Sequence, residues 1–355
     1  MIDRILRMPA VAGLAAGWFA FCLLVWLYGV PPREMAVLLV QGTWGTSYGI
    51  GQVLFKATPL LFTGVAVDLA LRAGLFNIGA EGQLAVASLA AGVVGSRLPS
   101  GTPFFIALPV TLAAAMAAGA AWAAVPAILK GRFGAHEVIS TIMMNRIADG
   151  TVSLLVAGGL GLAGTVRTAD VVPGARMPRL EAVFAAFRGS AASFAVVLAA
   201  AMTALVMVAH RRTRFGREIG LIGLNARAME AEKVPVKRRL EQALIVSGAI
   251  AGAASLGTVL GYKGYFEEGL GAGAGFGGVA VAMLGRGSFG GLVLAALLFG
   301  TLQQGGLALN AHVPKELMEV LQGVVICAVA LADARLRSAA ISAVRRPIAK
   351  KASAG

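Results

Sequence analysis

Charge is scarce in this chain. Only 14% of its 355 residues are Asp, Glu, Lys or Arg, against 58% that are apolar, and a mean hydropathy of +0.80 lies far outside the range of a soluble domain. Acidic residues are scarcer than basic ones, 17 against 31, which leaves a net charge of +14. In a soluble chain that surplus suggests nucleic acid, but here the cations fall in a few short loops, the pattern that membrane topology imposes. There are two cysteines, Cys22 and Cys327, both inside apolar runs, so neither a disulfide framework nor a metal site is indicated. Of the three histidines, only His136 precedes a glutamate, and Ser140 stands where a zinc helix needs its second histidine. No glycine is followed by a lysine, so the chain has no phosphate loop for ATP. No nucleophile and base stand at usable spacing, which disfavours an enzyme.

What is present is a series of long apolar runs. Spanning helices need about 20 such residues. The runs predict spans at 9–28, 53–71, 104–129, 138–157, 193–209, 243–261, 289–309 and 317–332, with two shorter, glycine-interrupted ones at 80–95 and 271–284. The first run follows Arg4 and Arg7 and imitates a signal peptide, but its length and the absence of a small-residue cleavage site make it a span. Residues 35–51 carry Gln41, Thr43, Thr46, Ser47 and four glycines, and read as a short or re-entrant segment. The expected fold is all-α: a polytopic transmembrane bundle of about ten spans plus that segment, forming one domain over 1–355.

Ten spans put both termini on one face. Arg72, Lys130, Arg132, Arg211–Arg217, Lys233–Arg239, Arg286 and the basic tail 335–355 share that face, which the positive-inside rule makes cytoplasmic. The opposite face holds one sizeable loop, 161–192. The longest polar stretch, 210–242, is cytoplasmic. Within it Asn225 is placed to cap a short helix from Ala226 to about Lys233, which Pro235 ends. A capped helix amid basic residues reads as a docking surface for a protein partner or, failing that, as a solvated loop or a lipid-headgroup contact.

Polar residues inside the spans mark the chemistry. Asn77, Glu81 and Gln83 lie between two apolar runs, and a carboxylate at bilayer depth costs about 2.5–3.5 kcal/mol on insertion scales, so Glu81 must face the bundle or a wet cavity. Either a buried helix–helix anchor or a solute contact satisfies that requirement. Glu137, Thr141 and Asn145 share one helix face, and Arg146 and Asp149 are spaced to pair and offset each other's burial. Gln303, Gln304 and Asn310 add amides near the end of another span. The glycines at 269, 271, 273, 275, 277 and 278 lack the strand of a dinucleotide loop and suit close packing or an unwound mid-membrane segment.

Five stretches carry a family resemblance: Gly74-Leu-Phe-Asn-Ile-Gly-Ala-Glu-Gly-Gln83; His136-Glu137 with Thr141-Ile-Met-Met-Asn145; Gly275-Phe-Gly-Gly-Val-Ala-Val-Ala-Met-Leu-Gly285; Leu298-Phe-Gly-Thr-Leu-Gln-Gln-Gly-Gly306; and Leu321-Gln-Gly323. On these the chain resembles the integral-membrane permeases of ATP-binding cassette importers of the branched-chain amino acid/ribose type. Within that group it is similar to the nucleoside or simple-sugar permeases served by Bmp-type lipoproteins. The resemblance implies a bacterial inner-membrane subunit moving nucleosides, purine nucleosides first, by alternating access; the alternatives are ribose or another simple sugar and, in a different class, an ion-coupled secondary transporter. It implies Asn77, Glu81, Gln83, Glu137, Asn145 and Gln304 along the solute pathway. It makes residues 225–236 the coupling helix, with Asn225, Met229, Glu230, Ala231 and Lys233 seating in the ATPase and Pro235 standing where a glycine is usual. The implied partners are an ATPase subunit that binds ATP and magnesium, a second permease and an extracytoplasmic binding lipoprotein facing 161–192. No cofactor is expected in this chain.

Overall fold

The computed structural model describes residues 2–328 apart from Arg286, Lys315, Met318 and Ile326, with backbone alone for 2–14. The expected tail 335–355 and the last part of the 317–332 span lie outside the described residues. The described chain is helical without strands, a polytopic membrane bundle. It divides into two compact units, one formed by residues 43–301 and one by 1–42 with 302 onward.

In the second of these, α1 (Ile2–Leu27) and α2 (Pro32–Thr43) are bent by 116° across their break. The turn there contains left-handed Gly29 followed by Val30, Pro31 and Pro32, which stops one helix and starts the next. This is the segment expected to be short or re-entrant. Leu317, Leu321 and Val325 form a buried i, i+4, i+8 stripe, and Gly17 of α1 leaves room for the Val325 side chain.

The 43–301 unit is built around two buried spans. α3 (Ser47–Arg72), capped by Thr46, is 83% buried over its apolar window, as is the span of α10 (Val236–Gly252) with its continuation to Lys263; α5 (Phe104–Phe133) and α7 (Ala195–Arg212) reach only 28% and form the lipid-facing flanks. With α12 (Phe289–Leu309) these are five helices long and apolar enough to cross a membrane, or six if the bent α1–α2 pair is one span. α4 (Ala80–Arg97), α6 (Glu137–Leu155) and α11 (Ala274–Gly285) complete the bundle. Two short helices, α8 (Arg214–Leu224) and α9 (Ala226–Ala231), precede α10.

The α5–α10 pair makes the most extensive contact, and small residues are the reason. Gly248 lies against Ala123 and the Gly119 carbonyl, and Gly252 against the Ala115 carbonyl. Ala115, Gly119 and Ala123 on one helix thus face Gly248 and Gly252 on the other at four-residue spacing, which lets the backbones touch.

Beyond Gly252 the span widens into a π-helical stretch, Leu256–Lys263. Buried threonines elsewhere donate to the carbonyl four residues back: Thr58 to Leu54 (2.7 Å), Thr111 to Ala107 (2.8 Å) and Thr203 to Ala199 (2.7 Å). Ser255 and Thr258, at the wide turn, have buried hydroxyls with no partner among the described residues. An unmade hydrogen bond is a cost of about 1–3 kcal/mol. Thr258→Val is therefore expected to raise the thermal midpoint of the purified protein, and a lowered midpoint would show that this hydroxyl is satisfied.

The loop 161–192 is more ordered than a connector. Three short 3-10 turns are stitched to the outer ends of neighbouring helices by Val172 N–H to the Gly95 carbonyl (3.0 Å), Val171 N–H to Gly264 (2.8 Å) and Met177 N–H to Leu260 (2.8 Å), while the Arg179 guanidinium donates to the Tyr262 carbonyl (2.9 Å).

Candidate functional site

Two helices of the 43–301 unit begin inside the bundle, and this defines the site. α3 ends at Arg72, whose guanidinium pairs with buried Asp68 (2.8 Å) and donates to the Gly287 carbonyl (2.6 Å), so the end of α3 and the end of α11 lie at one surface. At 1.5 Å per residue the 12 residues of α11 span about 18 Å, well short of a hydrocarbon core of about 30 Å. Its start therefore lies within the bilayer. The preceding Gly269, Gly271 and Gly273 alternate at φ 80°, 86° and 84°, a left-handed pattern that only glycine adopts freely. The sequence expectation of an unwound segment is met here, with helix resuming at Ala274.

A helix start exposes N–H groups with no partner in the helix, and hydrocarbon offers none. Glu81, in the first turn of α4, supplies them. Its carboxylate accepts from Gly273 N–H (2.6 Å), Gly275 N–H (2.7 Å) and Phe276 N–H (3.3 Å). Charge at a helix N-terminus also offsets the helix dipole. The approach is so close that a side chain at Gly275 would overlap the backbone of Glu81.

α4 is capped in the same manner from α6. Asn145 Oδ1 accepts from Gly82 N–H (2.9 Å) and its Nδ2 donates to the Ile78 carbonyl (2.9 Å). Glu137, Thr141 and Asn145 are all buried along one face of α6, as their spacing predicts, and Glu137 pairs with Lys130 of α5 (2.8 Å). Arg146 and Asp149 do pair, at 3.7 Å, but at 85% and 59% side-chain exposure they offset no burial in this chain.

Asn77 and Gln83 face inward. Asn77 Nδ2 donates to Gln83 Oε1 (3.0 Å) and Ser247 Oγ (2.8 Å), its Oδ1 accepts from Gly79 N–H (3.0 Å), and Ser247 donates to the Ala66 carbonyl (2.6 Å). This closed network ties α3, α4 and α10 together. It explains why an amide, and not an apolar residue, stands at 77.

Beside the Glu81 clamp is a cavity of about 200 Å³ lined by Glu81, Asp149, Ser153 and Glu268 among the polar residues and by Leu84, Phe266 and the Gly269–Ala272 backbone. Asn77, Gln83, Glu137 and Asn145 are not in its wall. The sequence-predicted residues therefore separate into one cavity residue, Glu81, and four that brace the elements around it. Gln304 lies in the other unit, where its amide donates to the Gly42 carbonyl at 3.5 Å.

In the 210–242 loop, Asn225 accepts from Ala228 N–H (3.1 Å) and caps α9 as expected. The helix stops at Ala231, before Lys233. Lys233 takes φ 57° and Val234 N–H returns to the Met229 carbonyl (3.0 Å), a closing turn usually built on glycine. Glu230, Ala231 and Lys233 are exposed and Met229 is half-buried.

α8 was not foreseen. Thr213 caps it through Gly216 N–H (3.0 Å), Ile219 and Ile222 are buried, and Leu221 and Leu224 are exposed. The Thr213 cap and the 4- and 3-residue spacing of Phe215, Ile219 and Ile222 were the available signals. Glu218 accepts from Arg214 (2.6 Å) and from Arg239 of α10, and the two guanidiniums, Arg214 first, hold its carboxyl below the ordinary value of 4.5. A depressed folded value means the stabilisation is present above the unfolded value and is lost as pH falls through the folded one. Amide exchange of α8 is expected to be flat between about pH 5 and pH 8 after correction for intrinsic rates, and to rise only below the ordinary carboxylate range. A rise near pH 6.5 would contradict this ion-pair assignment.

Gly223 of α8 fits against Arg72 and Gly74, with no room for a side chain before the Arg72 carbonyl. The 210–242 loop thus touches the segment that leads, through residues 75–79, to Glu81.

The chain is 36% identical over 342 residues to the guanosine ABC transporter permease protein NupP of Bacillus subtilis, covering 93% of this chain and 95% of NupP. It is 31% identical over 329 residues to the glucose ABC transporter permease protein TsgB13 of Haloferax volcanii, covering 90% and 84%. A second guanosine permease of Bacillus subtilis, NupQ, is 25% identical over 205 residues, covering 56% and 63%. No solved structure matches the chain. Residues 49–330, which include α4, α11 and the α8–α9 loop, match the model of the permease component of branched-chain amino acid transport systems, and the chain belongs to that family.

Proposed function

We propose that the chain is the transmembrane permease subunit of an ATP-binding cassette importer and that its solute is a nucleoside. The observation that carries this reading is the similarity along 95% of the guanosine permease NupP. The similarity to a glucose permease supports a simple sugar as the second reading. The cavity beside Glu81 suits either, since carboxylates and backbone groups bind the hydroxyls that both solutes carry.

The chain acts with an ATPase, because it has no phosphate loop of its own. α8 and α9 form the ATPase-docking face, with Asn225, Met229, Glu230, Ala231 and Lys233 presented on a capped helix. ATPase closure pushes on this face, and the Gly223 contact with Arg72 and Gly74 passes the motion to the loop 75–79 and the Glu81 clamp. Glu81 is the gate residue; Asn77, Gln83, Glu137 and Asn145 hold the gate's supports in place. Gln304 belongs to the pathway through its own unit. Two permeases of one organism with the same solute in their names support a heterodimeric membrane core. The ordered loop 161–192 faces a solute-binding lipoprotein. The chain sits in a bacterial inner membrane with cytoplasmic termini, as the basic residues at the Arg72, Arg132 and Arg212 end indicate.

The test is affinity purification of the tagged chain in mild detergent with mass spectrometry of what accompanies it. An ATP-binding subunit and a second permease are expected at comparable amounts. A chain that purifies alone and without ATPase activity would refute the assembly. Gly223→Val is expected to leave the complex assembled and uncouple ATP hydrolysis from uptake, checked by the ratio of the two rates. An unchanged ratio would remove Gly223 from the route.

A further inference from the structure

Lys56 is a cation in the middle of a spanning helix that nothing above uses. It stands nine residues after Ser47, about 14 Å into a hydrocarbon layer of about 30 Å. Its side chain is half-buried, and no acceptor among the described residues lies within hydrogen-bond or ion-pair reach of it. A lysine at that depth costs about 2.5–3.5 kcal/mol when it faces lipid, so its ammonium is directed to water or to a group outside this chain.

Its direction follows from its neighbours. Lys56, Leu60 and Thr63 share one face of α3 at i, i+4 and i+7. Leu60 fills the space left by Gly277, and Thr63 Oγ1 donates to the Ala274 carbonyl (2.7 Å), so this face looks toward α11. The two helices run side by side in the same direction, with Arg72 beside Gly287, Gly64 beside Val281 and Leu60 beside Gly277. One turn before Leu60 brings Lys56 level with Gly273, where α11 has not yet begun. Gly273 is also the residue whose N–H Glu81 holds, and Ala272 and Gly273 are exposed. Lys56 therefore stands on the α3 side of the glycine segment and Glu81 on the α4 side.

We infer that Lys56 is a solute-binding residue whose ammonium donates hydrogen bonds to an acceptor-rich solute, such as a purine with its ring nitrogens and carbonyl oxygen, as it passes the start of α11. The inference rests on the transport reading above.

Two experiments test it. With Cys22 and Cys327 replaced by serine, Lys56→Cys in membrane vesicles is expected to react with a membrane-impermeant methanethiosulfonate, while Leu205→Cys on the lipid-exposed face of α7 does not. In cells expressing the whole importer, Lys56→Met is expected to raise the guanosine KM about tenfold or more at unchanged Vmax and protein amount, the loss of one charged hydrogen bond, and Lys56→Arg to restore most of it. An unreactive Lys56→Cys, or a Lys56→Met protein with wild-type KM, overturns the inference. If the wild-type importer takes up no guanosine, the proposed solute is wrong, and the labelling result alone decides whether Lys56 lines a wet path.

Discussion

Glu81→Gln is expected to reach the membrane at wild-type level and to lose at least about nine-tenths of solute uptake. The carboxylate accepts three N–H groups at the start of α11, and both of its oxygens are used. Glutamine keeps one acceptor and turns an NH2 toward N–H groups that are themselves donors. Hydrogen bonds to a charged group contribute about 1.5–3 kcal/mol, and about 1.4 kcal/mol is a factor of ten, so a clamp weakened by one such bond changes the gate's equilibrium by roughly 10- to 100-fold. Glu81→Asp keeps the charge but withdraws it by one methylene, and is expected to fall between the two. Full uptake by a well-expressed Glu81→Gln protein would reduce Glu81 to a packing residue. Insertion is expected to be unaffected, since removing a charge from a buried site lowers its cost.

The second large effect is on assembly of the bundle. Gly248→Leu is expected to abolish recovery of monodisperse protein. A side chain there would overlap Ala123 and the Gly119 carbonyl at the closest approach of α5 and α10. Overpacking inside a core costs about 1–3 kcal/mol, and backbone contact on the opposing helix leaves no rotamer to relieve it. Gly150, on α6, has nothing within 4 Å of the position a side chain would take, and Gly150→Ala is the matched control. It is expected to be neutral or stabilising by up to about 1 kcal/mol, because alanine orders less chain entropy in a helix. A stable, monodisperse Gly248→Leu protein would show that the α5–α10 seam does not hold the unit together.

Features that depend on local spacing were legible in the sequence. Long apolar runs located α3, α5, α7, α10 and α12. Glycine spacing marked the break before α11, and Asn225 marked the start of α9, because caps and breaks are written within a few residues; α4, expected to be interrupted by its glycines, instead runs unbroken over Ala80–Arg97. What Glu81 binds was not legible: its partners lie more than 190 residues away, and no pattern in the chain announces that two helices will start side by side. Separations of 63 and 170 residues likewise concealed the use of Asn145 by Gly82 and of Asn77 by Ser247. Here the sequence correctly marked polar residues as costly and could not divide braces from cavity wall. Arg146 and Asp149 were read as buried because their i, i+3 spacing predicts the pair but not which face of α6 the bundle covers. Lys56 escaped attention inside an otherwise apolar run, although a lysine at that depth is itself the signal.

Conformational coupling has a short physical route here. The end of α8 abuts Arg72 and Gly74, the loop 75–79 begins there, and α4 with Glu81 follows. If α8 and α9 dock an ATPase as proposed, a displacement there of about an ångström would be delivered to the clamp by packed backbone, because Gly223 leaves no compressible side chain between them.

The most direct measurement is uptake of radiolabelled guanosine into liposomes holding this chain with its ATPase and second permease, the binding protein being supplied outside. The account predicts accumulation that requires ATP and magnesium at the ATPase, requires the binding protein, and is unaffected by collapsing ion gradients. Uptake by the chain alone, driven by a proton or sodium gradient without ATP, would contradict it and make the chain a secondary transporter.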